Sequence, residues 1–167
     1  MSKVNRGKQF EDVIKKSFEK VEGISIDRLH DQTNGYLGSA NICDFIVYRY
    51  PFLCYMECKS CYGNTLPFSN ITDNQWNGLL EKSKIDGVIA GVMLWFIDHD
   101  ETVFIPIEVL QASKDAGNKS ANVKDLYHSA YATNMIDIID IKGKKKRVFF
   151  DYDMSNFFSK VEKYLWR

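Results

Sequence analysis

Apolar residues first recur at three- and four-residue spacing. Phe10, Val13, Ile14, Phe18 and Val21 line one side of residues 5–21, and lysines populate the other. That spacing predicts an amphipathic helix, which Gly23 ends. Residues 24–29 then alternate like a strand, and residues 30–41 form a polar loop containing Gly35 and Gly38 with no core pattern. Two aromatic and β-branched runs, Phe45-Ile46-Val47-Tyr48 and Phe52-Leu53-Cys54-Tyr55-Met56, flank Tyr50-Pro51. They predict two strands joined by a tight turn. Residues 60–70, with Gly63 and Pro67, read as irregular. Thr72 or Asp73 caps a helix through Ile85 that turns Trp76, Leu79 and Leu80 inward.

The second half begins with a nearly continuous apolar strand, residues 88–97, a turn at 98–101 and a returning strand at 102–105. A short helix is expected over 106–114, a loose segment over 117–122 and a further helix over 125–132. Residues 135–141 and 148–153 predict a late hairpin, and 154–166 a closing helix. Neither a linker nor an internal repeat interrupts the chain. The expected fold class is therefore α/β, one domain over residues 1–167, with a central mixed sheet flanked by helices.

The hairpin around Pro51 carries the candidate chemistry. A turn centred on Tyr50-Pro51 sets Asp44 directly across from Glu57, with Cβ atoms about 5 Å apart. Lys59 leaves the same face, because side chains alternate along a strand. Cys43, Phe45 and Val47 share the opposite face with Cys54, Met56 and Cys58, while Ile46, Tyr48, Leu53 and Tyr55 accompany the charged trio. Both faces are largely apolar, so both are expected to be covered. Partly buried facing carboxylates repel unless a proton or cation lies between them. Two acids and a lysine on one face thus suit a hard divalent cation and a water to be activated. The plain alternative is a surface hairpin with its charges on the wet side.

With 167 residues, 45% hydrophobic and 14% aromatic, the chain is long and apolar enough to fold around a substantial core. Its formal net charge of zero does not by itself suggest a nucleic-acid binder. Basic residues are nonetheless grouped at Lys3, Arg6 and Lys8, at Lys15-Lys16, and at Lys142-Gly143-Lys144-Lys145-Lys146-Arg147. The last group reads either as a solvated hairpin turn or as a phosphate-contact patch. The lack of a membrane-length apolar run and of an apolar N-terminal stretch leads to the expectation of a cytoplasmic protein without membrane contact. Cys58 and Cys61 have the spacing of a zinc or redox pair, yet no second pair follows. Cys43, Cys54 and Cys58 fit better as small buried hydrophobes opposite the acids. His30, His99 and His128 are scattered.

Asn5-Arg6-Gly7 with Phe10-Glu11, strand-borne Asp44, Glu57-Cys58-Lys59, Thr65-Leu66-Pro67-Phe68 and helical Gln75 occur in that order. The ordered set resembles the PD-(D/E)XK nuclease superfamily, and more narrowly the RecU-type Holliday junction resolvases, including phage forms. The resemblance runs over roughly residues 4–105. It implies a restriction-endonuclease-like fold and a homodimer that cuts branched DNA, above all four-way junctions, with Mg²⁺ as cofactor and Mn²⁺ able to substitute. Asp44 and Glu57 would hold the metal with the Gln75 oxygen as a further contact. Lys59 would orient the water, and Glu11 would be an outer acid or a plain surface glutamate. Arg6, Lys8, Gln32, Thr33 and Asn34 would contact DNA.

The chain departs from the family pattern at two positions and in one loop. Cys43 stands where the superfamily has its proline, and Ile42 stands where RecU proteins have a metal-contacting threonine. The 30–41 loop also looks shorter than the family's projecting stalk. Rival readings are another endonuclease of the superfamily, a protein that binds branched DNA without cutting it, and a thiol-redox protein using Cys58 and Cys61.

Overall fold

Asn5 starts the first helix by accepting a hydrogen bond from the Lys8 amide at 3.2 Å, satisfying one of the free N–H groups of helix α1 (Arg6–Phe18). Phe10, Ile14 and Phe18 form its buried stripe, as their spacing predicts. The computed structural model describes residues 5–30, 40–122, 124–125 and 138–165. Strand β1 (Ser25–Arg28) is followed by the hairpin of β2 (Phe45–Arg49) and β3 (Phe52–Cys61), whose turn contains a cis Tyr50–Pro51 bond. Then come β4 (Thr65–Pro67), a 3-10 turn (Phe68–Asn70) and helix α2 (Asp73–Ser83). Next are β5 (Val88–Phe96), β6 (Glu101–Pro106), α3 (Ile107–Asp115) and β7 (Ser120–Asn122). The chain closes with β8 (Ile139–Asp140), β9 (Gly143–Lys145), β10 (Phe150–Tyr152) and α4 (Ser155–Leu165).

Six strands form the main sheet in the order β1-β2-β3-β5-β6-β8. The β3–β5 pairing is parallel and its neighbours are antiparallel, so the sheet is mixed as expected. Strand β5 sits at the centre and is buried on both faces, which explains its unbroken apolar run. Its Met93 and Trp95 pack with Phe10, Phe18, Phe157 and Phe158 of α1 and α4. Its Val92 and Leu94 pack with Trp76, Leu79, Ile107 and Leu110 of α2 and α3. Gly91 is required where β6 comes close, because a Cβ there would lie 2.3 Å from the Ile105 carbonyl oxygen.

Several expectations are corrected. Residues 60–70 are not irregular: β3 stays paired with β5 to Cys61, and β4 pairs with β7. The same pairing orders the supposedly loose end of 117–122. Three-residue strands give too little alternation to be read from sequence. The late hairpin is shifted, since Asp140 and Ile139 pair with β6, and the hairpin proper joins β9 to β10. Buried Ile139 and Ile141 are what draw the earlier segment into the α1–α4 core. Cys43 belongs to the α2–α3 core, opposite Cys54 and Cys58, because the chain bends at 42–44 before entering β2. Tyr48 is 44% exposed, so the charged face is open at β2 and covered only from β3 inward. The helix expected over 125–132 lies outside the described residues, apart from Asp125 in a turn. Among the described residues, no helix is long and apolar enough to cross a membrane.

Candidate active site

Asp44 occupies the bend that feeds β2. Its carbonyl accepts from the Leu29 amide at 2.8 Å, its own amide donates to the Met56 carbonyl at 3.1 Å, and its Oδ2 accepts from the Cys58 amide at 2.8 Å. Two neighbouring strands therefore fix its backbone and one fixes its side chain. Glu57, in the middle of β3, is only 2% exposed. Its Oε1 accepts from Gln75 Nε2 at 2.7 Å and from Lys59 Nζ at 2.7 Å. Its Oε2 is buried with no N–H or O–H donor among the described residues, and the Glu57 carboxyl meets that of Asp44, a hydrogen bond that exists only when one of the two is protonated.

Gln75 is placed by local sequence logic. Thr72 caps α2, its hydroxyl accepting from the Gln75 amide at 3.2 Å, and Gln75 Oε1 accepts in return from the Thr72 amide at 3.1 Å. This capping box aims the third residue of the helix back over the sheet. Lys59 Nζ completes the ring at 3.4 Å from Gln75 Oε1. As the amide lies here, its nitrogen faces Glu57 and its oxygen is held by the helix cap, the reverse of the expected metal contact.

The field at the site is acidic. Burial and then the charge of Asp44 push Glu57 up to about 7, with Lys59 opposing. Asp44 is raised by burial, opposed by the Cys58 amide and by Lys59. Glu11 is also raised, by burial and then by Asp44, although the Arg28 guanidinium beside it pulls the other way. Arg28 holds both Glu11 and Asp12, the latter at 2.9 Å. Four carboxylates, Glu11, Asp12, Asp44 and Glu57, thus face two close cations, Lys59 and Arg28. A further cation would relieve the pair at the centre.

Asp44 and Glu11, but not Glu57, line a cleft of about 440 Å³ together with Asn5, Lys8, Arg28, Leu29 and His30. A larger cavity of about 860 Å³ opens beside α2, near Phe68, Trp76 and Lys114, away from the acids. Chemistry rather than size marks the candidate site. Asp44, Glu57, Lys59 and Gln75 come together as expected; Glu11 and Lys8 reach the cleft from α1. Arg6 lines a different cleft on the other side of that helix. Gln32, Thr33 and Asn34 lie outside the described residues. Arg28 was missed by sequence reasoning. Its signal was its place at the end of β1, which pairs with Phe45 and so adjoins Asp44.

Whether these residues suit a divalent cation is decided by the orphaned Glu57 oxygen. A buried carboxylate oxygen without a donor is costly. Beside a second raised carboxylate it fits an oxygen-seeking ion such as magnesium. Ile42 contributes nothing to that donor set. Its side chain seats on α2, where a Cβ on Gly78 would meet Ile42 Cγ2 at 2.3 Å.

Paired acids and a lysine on adjoining strands beneath α2, with Glu11 brought in from α1, are the arrangement that the resemblance to PD-(D/E)XK nucleases implies. The family model RecU, recombination protein U, matches residues 8–145, so the chain belongs to the RecU family. The match runs past residue 105, where the resemblance of the motifs ends, into β9, and stops short of the β9–β10 turn. Among solved structures, the chain is similar to Hjc of Archaeoglobus fulgidus, a Holliday junction resolvase from an archaeal hyperthermophile. Identity is 18% and the TM-score 0.49, over 70% of this chain and 86% of that one. No curated protein matches the sequence.

Proposed function

We propose that this protein is a divalent-metal-dependent endodeoxyribonuclease of branched DNA that resolves Holliday junctions by paired nicks. Its active form would be a cytoplasmic homodimer, with residues 1–167 as one nuclease domain. Family membership supports the substrate class. The observation that carries the chemistry is the buried Glu57 carboxyl set against that of Asp44, with Oε2 lacking a donor, so that only a shared proton or a cation can reconcile the two acids.

Asp44 and Glu57 would hold magnesium, with manganese able to substitute. The bound cation supplies Lewis acidity to the scissile phosphate and lowers the pKa of water. Lys59, fixed between Glu57 and Gln75, orients the attacking water and offsets negative charge developing on the phosphate. Gln75 positions both partners; a metal contact through its oxygen requires the amide to turn over and release the helix cap. Glu11 is an outer acid whose swing is limited by Arg28. Lys8 stands at the rim of the cleft to receive a phosphate, with Arg6 beyond it and Gln32, Thr33 and Asn34 as further DNA contacts. Paired nicks require two sites related by a twofold axis, hence the dimer.

A synthetic four-way junction and a linear duplex of the same sequence, each incubated with and without magnesium, test this. The expected result is symmetric nicking of the junction only, and only with the metal. Equal cutting of the duplex would indicate a different endonuclease of the superfamily. Tight junction binding without cutting would favour a non-catalytic binder, the reading that Ile42 supports by removing a ligand position from the site.

A further inference from the structure

Helix α1 divides two clefts. Asn5, Lys8 and Glu11 lie on its catalytic side, whereas Arg6 and Gln9 line a second cleft of about 500 Å³ closed by Lys146, Arg147, Val148 and Phe149. The far wall is the turn of the β9–β10 hairpin, where the Lys146 amide donates to the Phe149 carbonyl at 2.7 Å. Gly143 lets the two strands close, since a Cβ there would lie 2.8 Å from the Asp151 carbonyl oxygen. Residues 142–148 are all exposed.

The charges in this cleft are unlike those around it. Lys142 pairs with Asp140, Lys145 with Asp100, and Lys20 with Asp151, which also lies in the field of Lys144 and Lys146. Arg6, Lys146 and Arg147 form no ion pair among the described residues. Arg6 instead lies over the Phe149 ring, 6.0 Å from its centroid, and that ring packs on Trp95 at 5.2 Å. Arg6 and Lys8 also occupy the first turn of α1, which holds no acid. Cations at a helix N-terminus oppose the macrodipole and are destabilising by a few tenths of a kcal/mol or more. Three clustered cations that helix and hairpin do not neutralise call for an anion between them.

We propose that this cleft is a second phosphate-tracking site, holding the DNA backbone on the flank of the phosphate that is cut. It rests on the nuclease reading above and adds a contact surface outside the residues that the family model matches. The occupant follows from the geometry. A helix with its side chains is about 10–12 Å across, which corresponds to roughly three phosphates of one strand at 3.4 Å of duplex axis each. A strand leaving the Asp44 cleft past Lys8 and over the N-terminus of α1 therefore arrives between Arg6 and the hairpin turn. Phe149 offers an apolar floor beneath Arg6 and leaves its N–H groups for phosphate oxygens.

The test is junction binding by fluorescence anisotropy without divalent metal, across a salt series, on the full chain. Lys146→Gln with Arg147→Gln, and separately Arg6→Gln, should each weaken binding, the double variant roughly tenfold. For every phosphate that a variant no longer neutralises, the slope of log affinity against log salt should become shallower by about 0.9. The control is Lys142→Gln with Lys145→Gln, the same charge change on the same hairpin at residues already paired with acids. It should leave the slope close to that of the parent. Arg6→Gln guards against a misfolded hairpin, because it leaves the hairpin's own residues unchanged and removes only the Arg6 contact with the Phe149 ring. Equal slopes for parent and all variants, or an equal loss in the control, overturn the tracking site while leaving the nuclease reading intact. A parent protein that neither binds nor cuts junctions overturns both.

Discussion

Along strand β3, Cys54, Met56 and Cys58 turn toward α1 and α4, whereas Tyr55, Glu57 and Lys59 turn toward α2. On the first face the packing is closed and largely apolar: Cys54 and Met56 are wholly buried, with Phe10 and Phe45 in the same cluster, while Cys58 at its end lies in the field of Asp44, Glu57 and Glu11. Burial pushes the Cys58 thiol well above its usual range, so it acts as a small hydrophobe rather than a nucleophile. On the second face a carboxylate is buried just as deeply, with one oxygen accepting from Gln75 and Lys59 and the other without a donor, beside the Asp44 carboxyl. Each face holds one buried polar atom with no partner among the described residues, Trp95 Nε1 on the first and Glu57 Oε2 on the second, but only the second is part of a group that can carry charge. That group is where chemistry is to be sought.

The contrast can be broken most sharply at the acids. Asp44→Asn and Glu57→Gln are each expected to reduce junction cleavage at least about a thousandfold, since both remove charge from a metal site while preserving shape. Junction affinity should stay near parental, and gel-shift and cleavage assays on one preparation check both. A substitution on the other face should do the reverse. Phe10→Ala opens a cavity under Trp95 and should cost about 3–5 kcal/mol in urea unfolding, with cleavage per folded molecule kept. Lys59→Ala comes next, with a fall in turnover of roughly a hundredfold, about 3 kcal/mol of transition-state stabilisation. Calorimetry should find its divalent-ion affinity kept or improved, because a lysine beside a cation repels it. Loss of metal binding would make Lys59 a structural counter-ion.

The smallest effect concerns pH. Glu57 has its folded pKa raised from 4.5 to about 7, so its contribution to stability is fully present below about 4.5 and is lost as pH rises through about 7. Asp44 and Glu11 are shifted in the same direction. The metal-free protein should therefore be less stable at pH 8 than at pH 5, by an amount on the order of 2 kcal/mol for Glu57. Glu57→Gln should flatten that dependence, and magnesium should restore stability at pH 8 in the parent alone. Urea melts at the two pH values measure it.

The sheet-forming half of this fold was legible because its signals are long. The buried stripe of α1, the paired runs about Pro51 and the nine-residue β5 each repeat their pattern enough times to be unambiguous. Short elements such as β4 and β7 depend on each other across more than fifty residues of chain, and no local pattern announces them. The site was legible where side-chain alternation alone decides position, as for Glu57 and Lys59. Asp44 shows the limit: it lies at a bend just outside the β2–β3 ladder, and Cys43 beside it therefore faces the other core. Arg28 and the orientation of Gln75 depend on contacts between elements distant in sequence. The unmatched cations of the β9–β10 turn became distinguishable from their neighbours only once the partners of Lys142 and Lys145 were known.

The central claim is that the Glu57 oxygen without a donor and Asp44 together hold a divalent cation. Calorimetric titration of the DNA-free protein with Mn²⁺, at pH 6.5 and at pH 8 in buffers of different ionisation enthalpy, tests it most directly. The parent is expected to bind at both pH values, to bind more tightly at pH 8, and to release protons at pH 6.5, where Glu57 still carries one. Glu57→Gln is expected to lose both the binding and the proton release. Equal Mn²⁺ affinity and equal proton release in parent and Glu57→Gln would contradict the assignment.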